Sequence, residues 1–247
     1  MKKLAHILSY PLTVLFYLFF GISMLVFHPI QWFCFNVFGY QAHKKSVDYF
    51  NLCILRSLNI LGTRFDVTIN SSIPKNVPII IVSNHQSMWD IPPIIWFLRS
   101  YHPKFISKIE LGKGIPSISY NLRHGGAILI DRKNPKQALG ELMKFAKYLV
   151  KFNRSGVIFP EGTRSRDGHP KEFKKTGLIT LFKKAPEAYV LPISINNSWR
   201  LQRYGFFPMP LGVKLKMQVH PAIKVGDFDI NELIDKIELQ IKSHIQP

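Results

Sequence analysis

The sequence predicts an α/β domain, a central mixed sheet flanked by helices, preceded by an N-terminal membrane-associated helical hairpin. Three observations carry that prediction. From Leu4 to His43 there is no Lys, Arg, Asp or Glu. After Thr63, short β-rich runs alternate with segments of helical period, the pattern of a sheet covered by helices. One late run alternates Val213, Leu215, Met217 and Val219 with Lys214, Lys216, Gln218 and His220, as a half-exposed edge strand does.

The uncharged stretch comes first, bracketed by Lys2, Lys3 and by Lys44, Lys45. Residues 7–27, rising about 1.5 Å each as a helix, match the ~30 Å hydrocarbon layer of a bilayer. Pro29 predicts a break. The apolar residues 29–40 that follow are too few to cross and carry Trp32 and Tyr40, types that favour the water interface. Two arrangements fit: a hairpin dipping into one leaflet with both cationic ends at anionic headgroups, or a spanning helix followed by an interfacial one. A core helix of a soluble domain is the plain alternative. Large residues fill "LVFHPIQW", where a small-x-small cleavage site belongs, so a cleaved leader is not expected. Residues 1–45 are read as anchoring helices and 46–247 as one folded domain.

Within that domain, strands are expected at 64–69, 77–83, 104–107, 125–131, 156–160, 189–195 and 212–220, all but the last reading as buried. Helical spacing is clearest over 135–152, where Ala138, Leu142, Phe145, Ala146 and Leu149 share a face and Pro135 suits a first turn. Further helices are expected over 91–99, 176–184 and 231–243. In such folds ligands gather where strands end and helices begin.

The chain carries 33 Lys+Arg against 15 Asp+Glu, and since only Lys2 and Lys3 precede position 43, the excess belongs to the folded domain. Such a balance favours partners that bear phosphate. There is no zinc-finger spacing and no RNA-recognition aromatic signature, so nucleic acid is not an expected partner. Cys34 and Cys53 lack any paired or metal-site spacing and are read as packing residues in a reducing compartment.

The most informative join is "SNHQSMWDIPP", Ser83 to Pro93, between an apolar strand and an apolar helix. His85 and Asp90 stand five residues apart. On a regular helix that spacing turns about 500°, off a common face, so contact between them requires an irregular turn. If they meet, the carboxylate fixes the imidazole tautomer and frees the other nitrogen as a base. The plain readings are an N-cap for Asp90 and a hydrogen-bonded turn for His85. No third ligand stands at helical spacing, so no metal is expected. Ser87 lies nearby, but nothing in the spacing forces a nucleophile.

The company of this join narrows the choice. "NHQSMWD", "GGAILIDR", "FPEGTRS" and "VLPISI" follow one another in an order that resembles the four-block pattern of the 1-acyl-glycerol-3-phosphate acyltransferases, over roughly half the chain. The resemblance implies acyl transfer from a thioester to a lysophospholipid hydroxyl, giving phosphatidic acid, with His85 as general base and Asp90 as its support. It implies that Arg132, Glu161, Gly162, Thr163 and Arg164 help hold the phosphate-bearing acceptor, and more loosely Lys108, with Lys113 competing. Arginine suits phosphate through two parallel charge-assisted bonds. Taken without the family, Arg132 and Arg164 are surface charges and Glu161 pairs with one of them. Pro192 would sit in a buried strand that shapes the acyl pocket.

No bound cofactor is implied: acyl-CoA or acyl carrier protein thioester serves as co-substrate. Expected partners are membrane lipids, the lysophospholipid acceptor, and acyl-CoA or an acidic acyl carrier protein. The place implied is a membrane, at the cytoplasmic face of the plasma (inner) membrane in a bacterium. The run Lys171, Lys174, Lys175, Lys183, Lys184 reads as a solvated face that also suits anionic lipid or an acidic carrier. Within the enzyme class, the runner-up acceptor is another lysophospholipid or glycerol 3-phosphate.

Overall fold

The computed structural model describes residues 2–69 and 71–246, the side chain of Lys2 excepted. Its strands are β1 (Arg64–Ile69), β2 (Ile79–Ser83), β3 (Pro103–Lys108), β4 (Ile128–Ile130), β5 (Ser155–Ile158), β6 (Tyr189–Asn196), β7 (Lys214–Val219) and β8 (Ile223–Lys224). Its helices are α1 (Lys2–Phe38), α2 (Tyr40–Ile60), α3 (Ile91–Phe97), α4 (Ile118–His124), α5 (Pro135–Phe152), α6 (Lys175–Lys184) and α7 (Ile230–Ser243). The strands form one eight-stranded sheet in the order β1-β7-β6-β2-β5-β3-β4, with β8 beside β6. Pairing is parallel except where β6 meets β7 and β8, so the sheet is mixed, as predicted.

β2 shows why the middle strands read as unbroken apolar runs. Ile79 and Ile81 enter a core shared with α1, α2 and α3, while Ile80 and Val82 enter a second core with α5, α6 and α7. A parallel strand covered on both faces needs apolar residues at every position. The periodic face of α5, built from Leu142, Phe145, Ala146 and Leu149, lies in the second core as its spacing requires.

Three expectations need correction. Pro29 does not break the first helix: α1 runs through it and through Pro11 to Phe38. A proline inside a helix removes one ladder bond and costs about 3 kcal/mol. Packing beyond it offsets the loss, where Phe35 meets His43, Tyr120 and His124. The hairpin turns instead at Gly39, whose φ of 75° a side chain would oppose. Its second arm is α2, which carries the polar Lys44, Lys45 and Asp48, runs through residue 45 and returns along α1 with Phe50 against Phe27.

The edge strand is also misplaced. β7 lies between β1 and β6, and its alternation records an open face: Leu215, Met217 and Val219 are buried while Lys214 is exposed. The edges are β1 and β4, both partly exposed where burial was expected. Finally, α2, α4 and β8 were not read from the sequence at all.

α1 has two characters. Leu4, Ile7, Val14, Leu18, Leu25 and Phe38 are large, apolar and exposed, while Phe16 is fully buried and Phe20 nearly so. Phe16 and Phe20 meet the ring of Trp89 edge-on at 5.3 Å and 5.7 Å between centroids. The apolar helix is therefore packed against the turn that carries Asp90.

Candidate active site

β2 ends at Ser83, and the chain passes through a short 3-10 turn, Met88–Asp90, before α3 begins at Ile91. This is the irregular turn that the five-residue spacing demands. Ser87 caps it, accepting the Trp89 N–H at 3.1 Å, so that its hydroxyl is committed to the fold. Asn84 fastens the join to β6: its amide donates to Ile195 O at 2.8 Å and accepts Ile195 N–H at 2.7 Å.

His85 and Asp90 meet. His85 Nδ1 lies 2.8 Å from Asp90 Oδ2, which also accepts the N–H groups of Gln86 at 2.7 Å and Ser87 at 3.0 Å. The hydroxyl of Ser198 donates to Asp90 Oδ1. Donors thus converge on both oxygens of this carboxylate in a fully buried position and fix its orientation. The Asp90 side chain makes no cap bond to α3; it closes the capping box of the 3-10 turn by accepting Ser87 N–H, and it holds the His85 ring as well. The imidazole is stacked on Phe159, 4.1 Å between centroids and 14° from parallel, with 14% of its side chain open to solvent. A proton on Nδ1, directed at Asp90, leaves the lone pair of Nε2 free to accept one from a hydroxyl.

Phe159 opens the loop after β5 that carries "PEGTR". Glu161 is buried and spans two loops, accepting His85 N–H on Oε1 at 3.0 Å and Lys171 N–H on Oε2 at 3.3 Å. It forms no ion pair among the described residues, so it does not pair with an arginine. Burial pushes its carboxyl up to about 7, against the pull of both N–H bonds. Gly162 takes a φ of 72°, and a side chain there would press on Lys174. Its carbonyl accepts Arg132 Nη1 at 2.6 Å. Lys171 Nζ donates to Thr163 Oγ1 and to Arg164 O, each at 3.0 Å. Lys175 pairs with Asp235. The lysine run is thus partly stitched into this loop instead of being a plain solvated face.

Arg132, Thr163 and Arg164 are exposed. Burial lowers Arg164 from its ordinary value, the charge of Asp90 opposes that shift, and the charges of Arg166 and Arg132 add to it. Lys108 ends β3 in register with Ile130, two residues before Arg132, exposed and without a polar partner among the described residues. The C-terminal ends of β2, β3, β4 and β5 thereby contribute His85, Lys108, Arg132 and Glu161 to one edge of the sheet, the edge where α/β folds bind ligands. Pro192 lies buried in β6, paired with Val82.

Sequence reasoning missed Ser198, Gln86 and Asn84 as supports. Gln86 Oε1 accepts Ser198 N–H at 3.1 Å, so the two loops hold each other. No spacing rule connects positions this far apart in the chain.

A His–carboxylate pair at the strand ends of an α/β sheet suits general-base chemistry, and the comparisons identify the class. The model of the Acyltransferase family matches residues 64–196, and the chain belongs to that family; it is an acyltransferase. Within the family it is similar to 1-acyl-sn-glycerol-3-phosphate acyltransferases. That of Borreliella burgdorferi is 29% identical over 201 residues, covering 78% of this chain and 76% of the relative. That of Pseudomonas aeruginosa is 29% identical over 232 residues, covering 92% and 87%. The crystal structure of the 1-acyl-sn-glycerophosphate (LPA) acyltransferase PlsC from Thermotoga maritima superposes with a TM-score of 0.78 at 29% identity, covering 98% of this chain and 95% of that one.

Proposed function

We propose that the protein transfers a fatty acyl group from a thioester to the free hydroxyl of 1-acylglycerol 3-phosphate, giving phosphatidic acid. The observation that carries this reading is the His85 Nδ1 to Asp90 bond, which leaves Nε2 without a partner among the described residues on a ring partly open to solvent. Nε2 takes the hydroxyl proton as the oxygen attacks the thioester carbonyl. The tetrahedral intermediate collapses, the C–S bond breaks, and the thiolate leaves with the proton returned from Nε2. Asp90 stabilises the imidazolium throughout. No acyl-enzyme forms, and the donor thioester, on coenzyme A or acyl carrier protein, is a co-substrate.

Arg132, Arg164 and Lys108 would meet the acceptor phosphate, and Glu161, Gly162 and Thr163 shape the loop that presents Arg164. Residues 1–45 would act as the anchor and 46–247 as the acyltransferase domain, with α2 crossing the division. Among the described residues one helix, Lys3–Phe38, is long and apolar enough to cross a membrane. Its packing on Trp89 favours a hairpin lying in one leaflet, at the cytoplasmic face of a bacterial inner membrane, with the site at the bilayer edge.

The test is an acceptor panel with one fixed thioester donor. Preference for 1-acylglycerol 3-phosphate over lysophospholipids with other headgroups and over glycerol 3-phosphate is expected. Preference for another acceptor overturns the assignment of 1-acylglycerol 3-phosphate as acceptor and leaves acyl transfer intact.

A further inference from the structure

α1 is not alone on its apolar side. The segment after the Ser198–Gln202 turn exposes Tyr204, Phe206 and Phe207 at 52%, 60% and 48%, an aromatic cluster on a loop with no protein to cover it among the described residues. It is fastened to the N-terminal half of α1. Tyr17 donates to Phe206 O at 2.7 Å, Met209 N–H donates to Thr13 Oγ1 at 2.9 Å, and Tyr204 and Phe207 meet the rings of His6 and Tyr10. The exposed apolar residues of α1 and these rings therefore form one continuous surface.

Directly behind the rings lies a groove of ≈ 330 Å³ lined by Arg200, Arg203, Tyr204, Leu211 and Lys214. Both arginines are exposed, and neither forms an ion pair among the described residues; Lys214 is occupied by Asp66. Aromatic rings beside unpaired guanidinium groups match the water interface of an anionic bilayer, where rings sit at headgroup depth and arginine binds phosphate.

We infer that residues 200–207 form a second membrane contact, in which Tyr204, Phe206 and Phe207 enter the interface of an anionic bilayer and Arg200 and Arg203 hold phospholipid phosphates in the groove. The contact is independent of which lysophospholipid is acylated. It fixes the tilt of the domain, since one helix alone leaves the domain free to roll about its axis. The same short turn begins at Ser198, whose hydroxyl holds Asp90, so the contact sets the height of the catalytic pair above the lipid.

The experiment uses the full chain with Cys34→Ser and Cys53→Ser and one environment-sensitive fluorophore on a new cysteine at Phe206, at Leu18 on the open face of α1, or at Lys144 on the exposed side of α5. Vesicles of phosphatidylcholine with or without phosphatidylglycerol carry a headgroup spin label. With phosphatidylglycerol, the probes at 206 and 18 should shift to the blue and be quenched, and the probe at 144 should not. Arg200→Gln with Arg203→Gln should reduce quenching at 206 by roughly fivefold per charge lost and leave 18 unchanged. A probe at 206 that behaves like 144 while 18 is quenched overturns the second contact and spares the anchor. Quenching at 206 that ignores both arginine changes and lipid charge overturns the phosphate groove. Unaltered far-ultraviolet circular dichroism and thermal midpoints show that the variants are folded.

Discussion

The Ser198 hydroxyl reaches Asp90 Oδ1 from 108 residues further along the chain, and with the Gln86–Ser198 bond it binds the loop after β6 to the loop after β2. A hydrogen bond to a buried charge is worth about 1.5–3 kcal/mol. Ser198→Ala is expected to lower kcat by roughly tenfold or more with both KM values unchanged, and Ser198→Thr to restore it. His85→Ala, the reference, should lose about 10²–10⁴-fold. Steady-state kinetics at saturating donor separates the two, and a serine change as severe as the histidine change would assign Ser198 a direct chemical part.

Glu161 makes stability depend on pH with a definite sign. Its carboxyl is pushed from an ordinary 4.5 up to about 7 by burial. Between those values the native chain holds a proton that the unfolded chain has lost, so stability falls as pH rises through the window and levels off above it. Glu161→Gln should flatten that slope in urea titrations run from pH 4.5 to 7. An unchanged slope would show that Glu161 is already ionised in the fold.

The Arg164 guanidinium has no hydrogen-bond or ion-pair partner among the described residues, whereas Arg132 already spends one N–H on Gly162 O. Losing a charge-assisted bond to phosphate raises KM by about 10–100-fold. Arg164→Ala is expected to raise acceptor KM by that factor and leave thioester KM alone; equal losses for both substrates would remove the phosphate role.

At the opposite end of the sheet, Lys104 is buried at the start of β3, its ammonium 4.9 Å from the ring of Tyr40, with no ion pair among the described residues. Burial, then the charges of Arg154 and Lys44, lower it from 10.5 to about 7. Between those values the unfolded chain holds the proton that the native chain has released, so stability rises with pH across the interval. Lys104→Met should erase the rise and stabilise the chain near pH 7, read from thermal midpoints; a less stable variant would mean the ammonium has a partner.

What the sequence revealed depended on whether the cause was local. α5 was readable because Leu142, Phe145, Ala146 and Leu149 recur at the helical period, and the His85–Asp90 pair through the order of the four motif blocks, since its spacing said only that contact needs an irregular turn. β7 showed which of its faces is open, yet an alternating strand carries no record of its neighbours, and its place inside the sheet is settled by β1, far earlier in the chain. Pro29 misled because its penalty is local while the compensation comes from Tyr120 and His124. Gly39 was the real turn signal. Ser198 had no signal, since its partner lies 108 residues earlier in the chain.

The contact of Phe16 and Phe20 with Trp89 limits how this catalyst can be rebuilt. A foreign transmembrane segment grafted in place of the first helix would tether the domain to lipid yet leave a void under the catalytic loop, where two aromatic rings now stand. Solubilising surgery that trims the same residues would open the same void. Tethering and active-site geometry are inherited together, and an engineer who wants one without the other must refill that space with side chains of equal volume.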